Sequence, residues 1–264
     1  MSTVARLAPA AAPASLPTAA PVLVVGGFAT PPVAFRPWAG ALRAAGHDVT
    51  IATHRGGLAC SESTYERLVR DASAATERTG APVTVVAHSR GGQLGRVLAV
   101  RRPDLVGGLL TAGTPWRPGI DHLGRSTRRK LVLVGRAGSA GISGFFSLEC
   151  LAATACCSAF WRDLMERWPG RAWYHALHAQ DDRIVDARTV ADPAARQTWV
   201  AGGHKAMLYS RAVRERIVAL VQGRGEPAPA PLEVAPLAVD PVRVTFAARP
   251  ERGADATPAL AGGR

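Results

Sequence analysis

The chain has 264 residues, 47% of them hydrophobic, and a formal net charge of +12 at pH 7. This length allows one domain with a sizeable core, and the sequence contains no run of eighteen apolar residues that would predict a transmembrane helix. The basic residues are almost all scattered arginines without interleaved aromatic residues, which argues against nucleic-acid binding. We expect a solvated basic surface that leaves room for weak contact with anionic lipid.

The two ends of the chain are predicted to be disordered. Residues 1–20 are rich in alanine and proline, and their prolines interrupt the apolar core that a signal peptide needs. Residues 223–264 are also rich in proline and alanine, and their role stays open. We therefore expect one domain at residues 21–222. With neither a signal peptide nor a membrane helix evident, we expect a cytoplasmic location.

A glycine-rich loop follows the first predicted strand, residues 21–25. Its sequence is Gly26-Gly27-Phe28-Ala29. Glycines at such a position let the main chain approach a ligand closely, although an ordinary tight turn is the alternative. The spacing fits neither of the common phosphate-binding loops.

Strands and helices then alternate along the chain. Helices are predicted at residues 35–45, 64–79 and 90–101, with strands at 48–52, 83–86 and 105–112. Further strands are predicted at 172–179 and 197–201, before a closing amphipathic helix. This alternation predicts a parallel sheet with helices on both faces, and such sheets bind ligands at the carboxyl ends of their strands.

Ser89 lies between the buried strand at residues 83–86 and the helix that follows. Ala87 and Gly91 are the small residues two positions before and after it. This is the arrangement of the G-x-S-x-G nucleophile elbow, in which a sharp turn exposes a serine hydroxyl, with the first glycine replaced by alanine. The alternative is that Ser89 only caps the following helix.

Residues 116–168 interrupt the alternation and contain no convincing strand. An apolar insertion here could cover a site and exclude water, and the alternative is a set of ordinary helices that complete the core. His122, near its start, is expected at the surface.

The four cysteines are Cys60, Cys150, Cys156 and Cys157. They contain no C-x-x-C pair, which argues against a structural zinc site. The adjacent Cys156 and Cys157 are expected to point in different directions on a helix. Disulfides from Cys60 to the insertion, or from Cys150 to Cys156 or Cys157, stay open beside buried free thiols.

The remaining histidines fall into groups by position. His88 precedes Ser89 and is expected to support the turn. His175 and His178 lie on a predicted strand and are expected to pack or hydrogen-bond internally. His47 and His54 flank a strand and are expected to be superficial.

Five segments together resemble the α/β-hydrolase fold, and more narrowly its serine lipase and esterase branch, including hydrolases common in actinobacteria. They are Val-Val-Gly-Gly-Phe at 24–28, Ala-His-Ser-Arg-Gly-Gly at 87–92, Ala-Gly-Thr-Pro at 112–115, Asp-Asp-Arg-Ile-Val at 181–185 and Gly-Gly-His at 202–204. The resemblance covers about residues 20–222. It implies a mostly parallel central sheet with helices on both faces and a helical cap insertion at about 116–168.

The resemblance also implies a catalytic set. Ser89 would be the nucleophile, Asp182 the acidic member and His204 the general base, in the chain order of α/β-hydrolases. Asp182 fits the register better than Asp181 because the apolar pair at 184–185 follows it. The backbone N–H groups of Phe28 and Arg90 would form the oxyanion hole.

In this resemblance Gly26, Gly27 and Gly91 would shape the loop and the elbow, and no metal or organic cofactor is implied. A serine nucleophile argues against the branches that open halides and epoxides, which use a carboxylate at that position. The expected activity is hydrolysis of carboxylic esters of small or lipid-like substrates through an acyl-enzyme. An acyltransferase or thioesterase with the same residues is one alternative, and a non-catalytic binding protein with this fold is another.

Overall fold

Six short strands, the first four of them rich in aliphatic and β-branched residues, form a parallel sheet in the computed structural model, which describes residues 20–52, 55–186 and 191–223. The strands are β1 (Val22–Val25), β2 (Val49–Ile51), β3 (Val83–His88), β4 (Val106–Ala112), β5 (Trp173–Ala179) and β6 (Arg196–Val200). Their order across the sheet is β2-β1-β3-β4-β5-β6, and every neighbouring pair is parallel. The predicted parallel sheet is confirmed.

The α-helices in the described residues are α1 (Arg36–Ala44), α2 (Ser61–Thr79), α3 (Arg90–Arg101), α4 (Arg125–Ser139), α5 (Leu148–Leu151), α6 (Ser158–Leu164), α7 (Ala206–Tyr209) and α8 (Arg211–Val221). Single 3₁₀ turns cover Pro32–Phe35, Arg55–Gly57 and Ala155–Cys157. The expected closing helix is divided at Ser210, which has an extended backbone and accepts a hydrogen bond from the Val213 N–H. Ser210 therefore caps α8 and ends α7.

Alternate residues of each strand pack against different helices. Leu23 and Val25 of β1 belong to the apolar layer that contains α2, α3 and much of the 116–168 insertion. Val22 and Val24 belong to the opposite layer, with α1, α7 and α8. Because both faces of the sheet are covered, the central strands carry apolar residues on both sides.

The 116–168 insertion combines buried and exposed parts. Phe160 and Leu164 of α6 are buried in the core, whereas Leu133 of α4 is 69% exposed. Arg96 of α3 fixes the end of α6 by donating to the carbonyl oxygen of Leu164 at 2.6 Å. Part of the insertion thus completes the core, and its action as a cap stays a prediction.

Arg96 and Asp192 form a buried ion pair, with an Nε–Oδ2 distance of 2.5 Å.

Among the described residues, no helix is long and apolar enough to cross a membrane. The predicted disorder at the two ends concerns residues outside the described part, apart from Ala20 and Gly223, and stays a prediction.

Three expectations about single residues are wrong. His47 is buried, and its Nδ1 lies 3.0 Å from the carbonyl oxygen of Ala20, because this side chain turns inward at the start of β2. His122 is half-buried, and burial lowers its pKa to about 4. Cys156 and Cys157 do not point apart: their Sγ atoms are 3.7 Å apart in a 3₁₀ turn.

Two other expectations concern strand histidines and a residue outside the described part. His175 hydrogen-bonds to Thr198 and His178 to Gln197, so both bond internally as expected. His54 lies outside the described residues.

Candidate functional site

Ser89 occupies the turn between β3 and α3 with a backbone φ of 54° and ψ of −130°. A non-glycine residue in this conformation is strained, and such strain is concentrated at functional sites. The Ser89 side chain makes no capping hydrogen bond to α3, so the alternative that it merely caps the helix is wrong. The turn leaves the hydroxyl available for chemistry.

The chain around the turn approaches Ser89 closely. A Cβ atom on Gly27 would lie 2.7 Å from the Ser89 Cβ. A Cβ atom on Gly91 would lie 2.4 Å from the carbonyl oxygen of Val25 and 2.6 Å from that of Gly26. Real Cβ atoms do not approach so closely, so Gly27 and Gly91 must be glycine for the loop to meet the turn.

Phe28 and Arg90 line the same cleft as Ser89. Arg90 is the first residue of α3, so its N–H has no carbonyl partner within that helix. A Cβ atom on Gly57 would lie 3.1 Å from the Phe28 nitrogen, so the Arg55–Gly57 turn backs the glycine loop. Both residues expected to supply the oxyanion donors therefore line the cleft that holds the serine.

Asp182 and His204 form a buried pair at the ends of β5 and β6. The Asp182 Oδ2 lies 2.7 Å from the His204 Nδ1, and the two side chains are 3% and 6% exposed. The Asp182 Oδ1 accepts hydrogen bonds from the N–H groups of Ile184 and Val185, each at 2.8 Å. The neighbouring Asp181 is exposed, so Asp182 is the carboxylate that meets the imidazole.

Burial alone raises the pKa of Asp182. The hydrogen bond and charge of His204, with the N–H groups of Ile184 and Val185, outweigh it and hold the pKa of Asp182 below its usual value. The carboxylate is therefore ionised at neutral pH and orients the imidazole. Because Nδ1 donates to Asp182, Nε2 is the nitrogen of neutral His204 that can accept a proton.

His88 connects His204 to the turn at Ser89. Its Nε2–H donates to the carbonyl oxygen of His204 at 3.1 Å, and the two rings lie 4.7 Å apart. Since His88 directly precedes Ser89 in the chain, this contact brings the His204 loop to the end of β3. His88, which was expected to support the turn, thus does so through a direct hydrogen bond to the main chain of His204.

A predicted pH effect follows from His88, whose pKa is lowered to about 3 by burial and by the nearby His204. An unfolded histidine has a pKa of about 6.5. Below pH 6.5 the histidine binds a proton in the unfolded chain but stays neutral in the native protein. The free energy of unfolding therefore falls by about 1.4 kcal/mol per pH unit as the pH is lowered towards about 3. Above pH 6.5 the effect vanishes.

This effect can be measured by urea unfolding at pH 7 and pH 5. We expect the wild type to lose more unfolding free energy between the two pH values than His88→Asn does. Equal losses in both proteins would contradict a neutral native His88. The variant should keep part of the slope, because burial also lowers the pKa of His122 and His175.

Gly113 is a site residue that the sequence interpretation missed. It follows β4 with φ of 60°, and a Cβ atom there would lie 2.9 Å from the His204 Nδ1 and 3.4 Å from the Asp182 Oδ2. Its N–H donates to the carbonyl oxygen of Leu177 at 2.9 Å. The Ala-Gly-Thr-Pro segment marked this loop, but only the packing of the pair against Gly113 reveals its role.

Thr114 fixes the turn from the same loop. Its Oγ1 donates to the carbonyl oxygen of Ser89 at 2.9 Å, and the Ser89 N–H donates to the carbonyl oxygen of Ala112 at 2.9 Å. Both contacts hold the strained residue against the end of β4. The loop after β4 thus positions the serine on one side and the acid–histidine pair on the other.

The cleft beside Ser89 is mostly apolar. Its walls come from the glycine loop, the insertion and the loop after β5. Its apolar lining includes Phe28, Ile120, Leu123, Leu131, Phe146 and Leu151. Such a surface suits an apolar group held next to the serine hydroxyl.

No protein-family model and no curated protein sequence matches the chain. Solved structures do resemble it. One, from work on the metagenome-derived lipolytic enzymes LipS and LipT, is 16% identical with a TM-score of 0.58, over 79% of this chain and 96% of that one. A metagenomic carboxyl esterase is 16% identical with a TM-score of 0.58, over 83% and 81%.

A third structure is an α/β-hydrolase enzyme from the metagenome of lagoon sediments at Mar Chica, Morocco. It is 12% identical with a TM-score of 0.53, over 78% of this chain and 92% of that one. At such identities the likeness concerns the fold, and the chemistry must be argued from the site.

Proposed function

We propose that this chain, which has the α/β-hydrolase fold, is a serine hydrolase that cleaves carboxylic esters through an acyl-enzyme on Ser89. The observation that carries the proposal is the buried Asp182–His204 pair, joined at 2.7 Å, which the loop after β4 contacts together with a serine held at a φ of 54°. Acyl transfer of this kind needs a nucleophile, a general base and a group that orients the base. The serine, the imidazole and the ionised carboxylate are proposed to fill these three roles.

In the proposed first step, Nε2 of neutral His204 takes the Ser89 hydroxyl proton while the oxygen attacks the acyl carbon. Asp182 stabilises the imidazolium that forms, and does not itself take the proton. His204 then protonates the leaving alkoxide, which departs as the alcohol. A water molecule, deprotonated by the same histidine, releases the acid and restores Ser89.

The N–H groups of Phe28 and Arg90 are proposed to bind the oxyanion of the tetrahedral intermediate. Each such donor contributes about 3 kcal/mol to transition-state stabilisation in comparable enzymes. Gly27 supports this assignment, because its lack of a side chain lets the loop reach Ser89. The mechanism uses groups of this chain and water.

The apolar cleft supports an ester with an apolar acyl or alcohol group as substrate. The same acyl-enzyme would serve an acyltransferase or thioesterase, and the lining does not distinguish these alternatives. A non-catalytic binding protein is the less favoured alternative, because binding alone gives no reason for a buried carboxylate–histidine pair and a strained serine on the two sides of one loop. We also propose that the substrate is a small-molecule ester and that the protein acts in the cytoplasm, as expected from the sequence.

Labelling with a fluorophosphonate probe tests the nucleophile. We expect the probe to label the wild type stoichiometrically and to leave Ser89→Ala unlabelled. Ser139→Ala is a suitable control, because that exposed serine hydrogen-bonds within the insertion. A folded wild-type protein that the probe does not label would favour the non-catalytic alternative.

A panel of nitrophenyl esters and acyl thioesters of increasing chain length tests the reaction class. We expect kcat/KM to be higher for esters than for thioesters of the same acyl chain. We also expect kcat/KM to rise with acyl chain length until the chain is too long for the cleft to cover its added methylene groups. A reversed preference would favour the thioesterase, and faster transfer to an added alcohol than to water would favour the acyltransferase.

Replacement of Gly113 by alanine is expected to lower kcat by about a hundredfold, because the new methyl group must displace His204 by part of an ångström. The strain at its φ of 60° adds to the effect. Gly40→Ala is the matched control: a Cβ atom there meets nothing within 4 Å, and alanine favours its helix. If Gly113→Ala keeps wild-type kcat, the close packing of His204 against this loop does not matter for turnover.

A further inference from the structure

Four cysteines that are distant in the sequence lie together near the cleft. Their Sγ atoms all lie within 4.8 Å of one another. Cys60 directly precedes α2, Cys150 lies in α5, and Cys156 and Cys157 lie in the 3₁₀ turn before α6. All four carry free thiols. The fold thus brings the insertion to the start of α2 through a cluster of sulfur atoms.

The spacing of the sulfur atoms matches one tetrahedral ion. The Sγ atom of Cys150 lies 3.3 Å from that of Cys156, and the Sγ atom of Cys60 lies 3.4 Å from that of Cys157. Cys156 also has Cys60 at 3.6 Å and Cys157 at 3.7 Å. Four sulfurs around a zinc ion, with bonds of about 2.3 Å, are about 3.8 Å apart. Cys156 has all three others as near neighbours, as expected for ligands of one centre.

The charge beside the cluster favours an anionic centre. The Arg90 guanidinium donates to the carbonyl oxygens of Gly57 and Ala59 and to the Ser61 hydroxyl, and it lies over the Phe146 ring. All these partners are neutral, and none of the salt bridges in the described residues involves Arg90. Ala59 and Ser61 flank Cys60 in the chain, so the guanidinium lies next to the cluster. A thiolate centre would supply the missing counter-charge.

We propose that Cys60, Cys150, Cys156 and Cys157 bind one zinc ion in a structural four-cysteine site. Binding displaces four thiol protons and leaves a centre of net charge −2, which the Arg90 guanidinium partly offsets. Thiolate ligands select zinc among the common divalent ions. Four protein ligands leave no open position for a substrate, and the short sulfur–sulfur distances enclose a single ion and leave no space for a multi-iron cluster.

The site would fix one wall of the cleft. Cys150 lines the cleft together with Leu151 and Trp161, and the Trp161 Nε1–H donates to the carbonyl oxygen of Cys150 at 2.8 Å. The short α5 helix has only one turn to hold it in place, so a bond from Cys150 to an ion shared with Cys60 would tie this wall to α2. Cys156 is exposed and offers the ion an entry path.

The zinc content of purified protein tests the proposal directly. The full chain is expressed in zinc-supplemented medium, purified without chelators and dialysed against a weak competing chelator before elemental analysis. We expect one zinc per chain in the wild type, and at least a tenfold loss in Cys60→Ser and Cys156→Ser. Ser147→Ala is the matched control, because its hydroxyl touches the Cys150 sulfur at 3.6 Å but is not a proposed ligand. It should keep the zinc.

The wild type alone gives a second test that does not depend on how the variants fold. A strong chelator should remove the zinc and lower Tm by roughly 10 °C, and added zinc should restore it. Replacement of zinc by Co²⁺ should produce the thiolate-to-metal absorption of a tetrahedral sulfur site. Protein without zinc whose four thiols all react with a thiol reagent would overturn the proposal. The mass of zinc-free protein, measured under denaturing and non-reducing conditions, is the other check. A mass below that of the fully reduced chain would show that the cysteines form disulfides and would also overturn the proposal.

Discussion

Ser89→Ala and His204→Ala are each expected to lower kcat for ester hydrolysis by about a millionfold. In serine hydrolases the nucleophile and its base act as one unit, so the loss of either costs nearly as much as the loss of both. The double variant should therefore be scarcely slower than either single variant. Steady-state kinetics with a nitrophenyl ester measure the effect.

Both variants should stay folded, which circular dichroism and Tm can verify. Ser89→Gly is an informative companion, because glycine accepts the φ of 54° without strain. It should be as inactive as the alanine variant and at least as stable as the wild type. Folded Ser89→Ala protein with near-wild-type turnover would eliminate the serine mechanism.

Asp182→Asn is expected to lower kcat by about 10⁴-fold, whereas Asp181→Asn should leave it almost unchanged. The two backbone N–H groups that meet the Asp182 Oδ1 would keep the amide oxygen of an asparagine in that position. The amide NH₂ would then face His204 and donate to Nδ1. That bond places the imidazole proton on Nε2, the nitrogen that must accept the serine proton.

Kinetics of the two variants measured side by side decide between the neighbouring aspartates. Asp181 is exposed, so its replacement should also change stability by no more than about 0.5 kcal/mol. A crippled Asp181 variant with an active Asp182 variant would place the acid one residue earlier. If both variants keep full activity, the carboxylate bonded to His204 is not needed for turnover.

Local sequence patterns determined the strands, the helices outside the 116–168 insertion and the order of the proposed site residues. The strands were predicted to within one or two residues at each end, and apolar β-branched runs marked the central strands β1 and β3 because such runs suit a strand buried on both faces. The strand–serine–helix pattern predicted the strained turn at Ser89 from residues adjacent to it. The Asp182 register followed from the apolar pair after it, which proved to be held by the carboxylate itself.

Contacts between distant segments decided what the sequence could not. His47 is buried against Ala20, which is 27 residues away in the sequence. Gly113 packs against His204, which is 91 residues away. The cysteine spacing argued against a metal site, because ligand motifs rely on pairs that are close in sequence. Cys60 and Cys157, 97 residues apart, meet only after the insertion folds against the start of α2. Periodicity reports which face of an element is buried, but packing alone decides what meets that face.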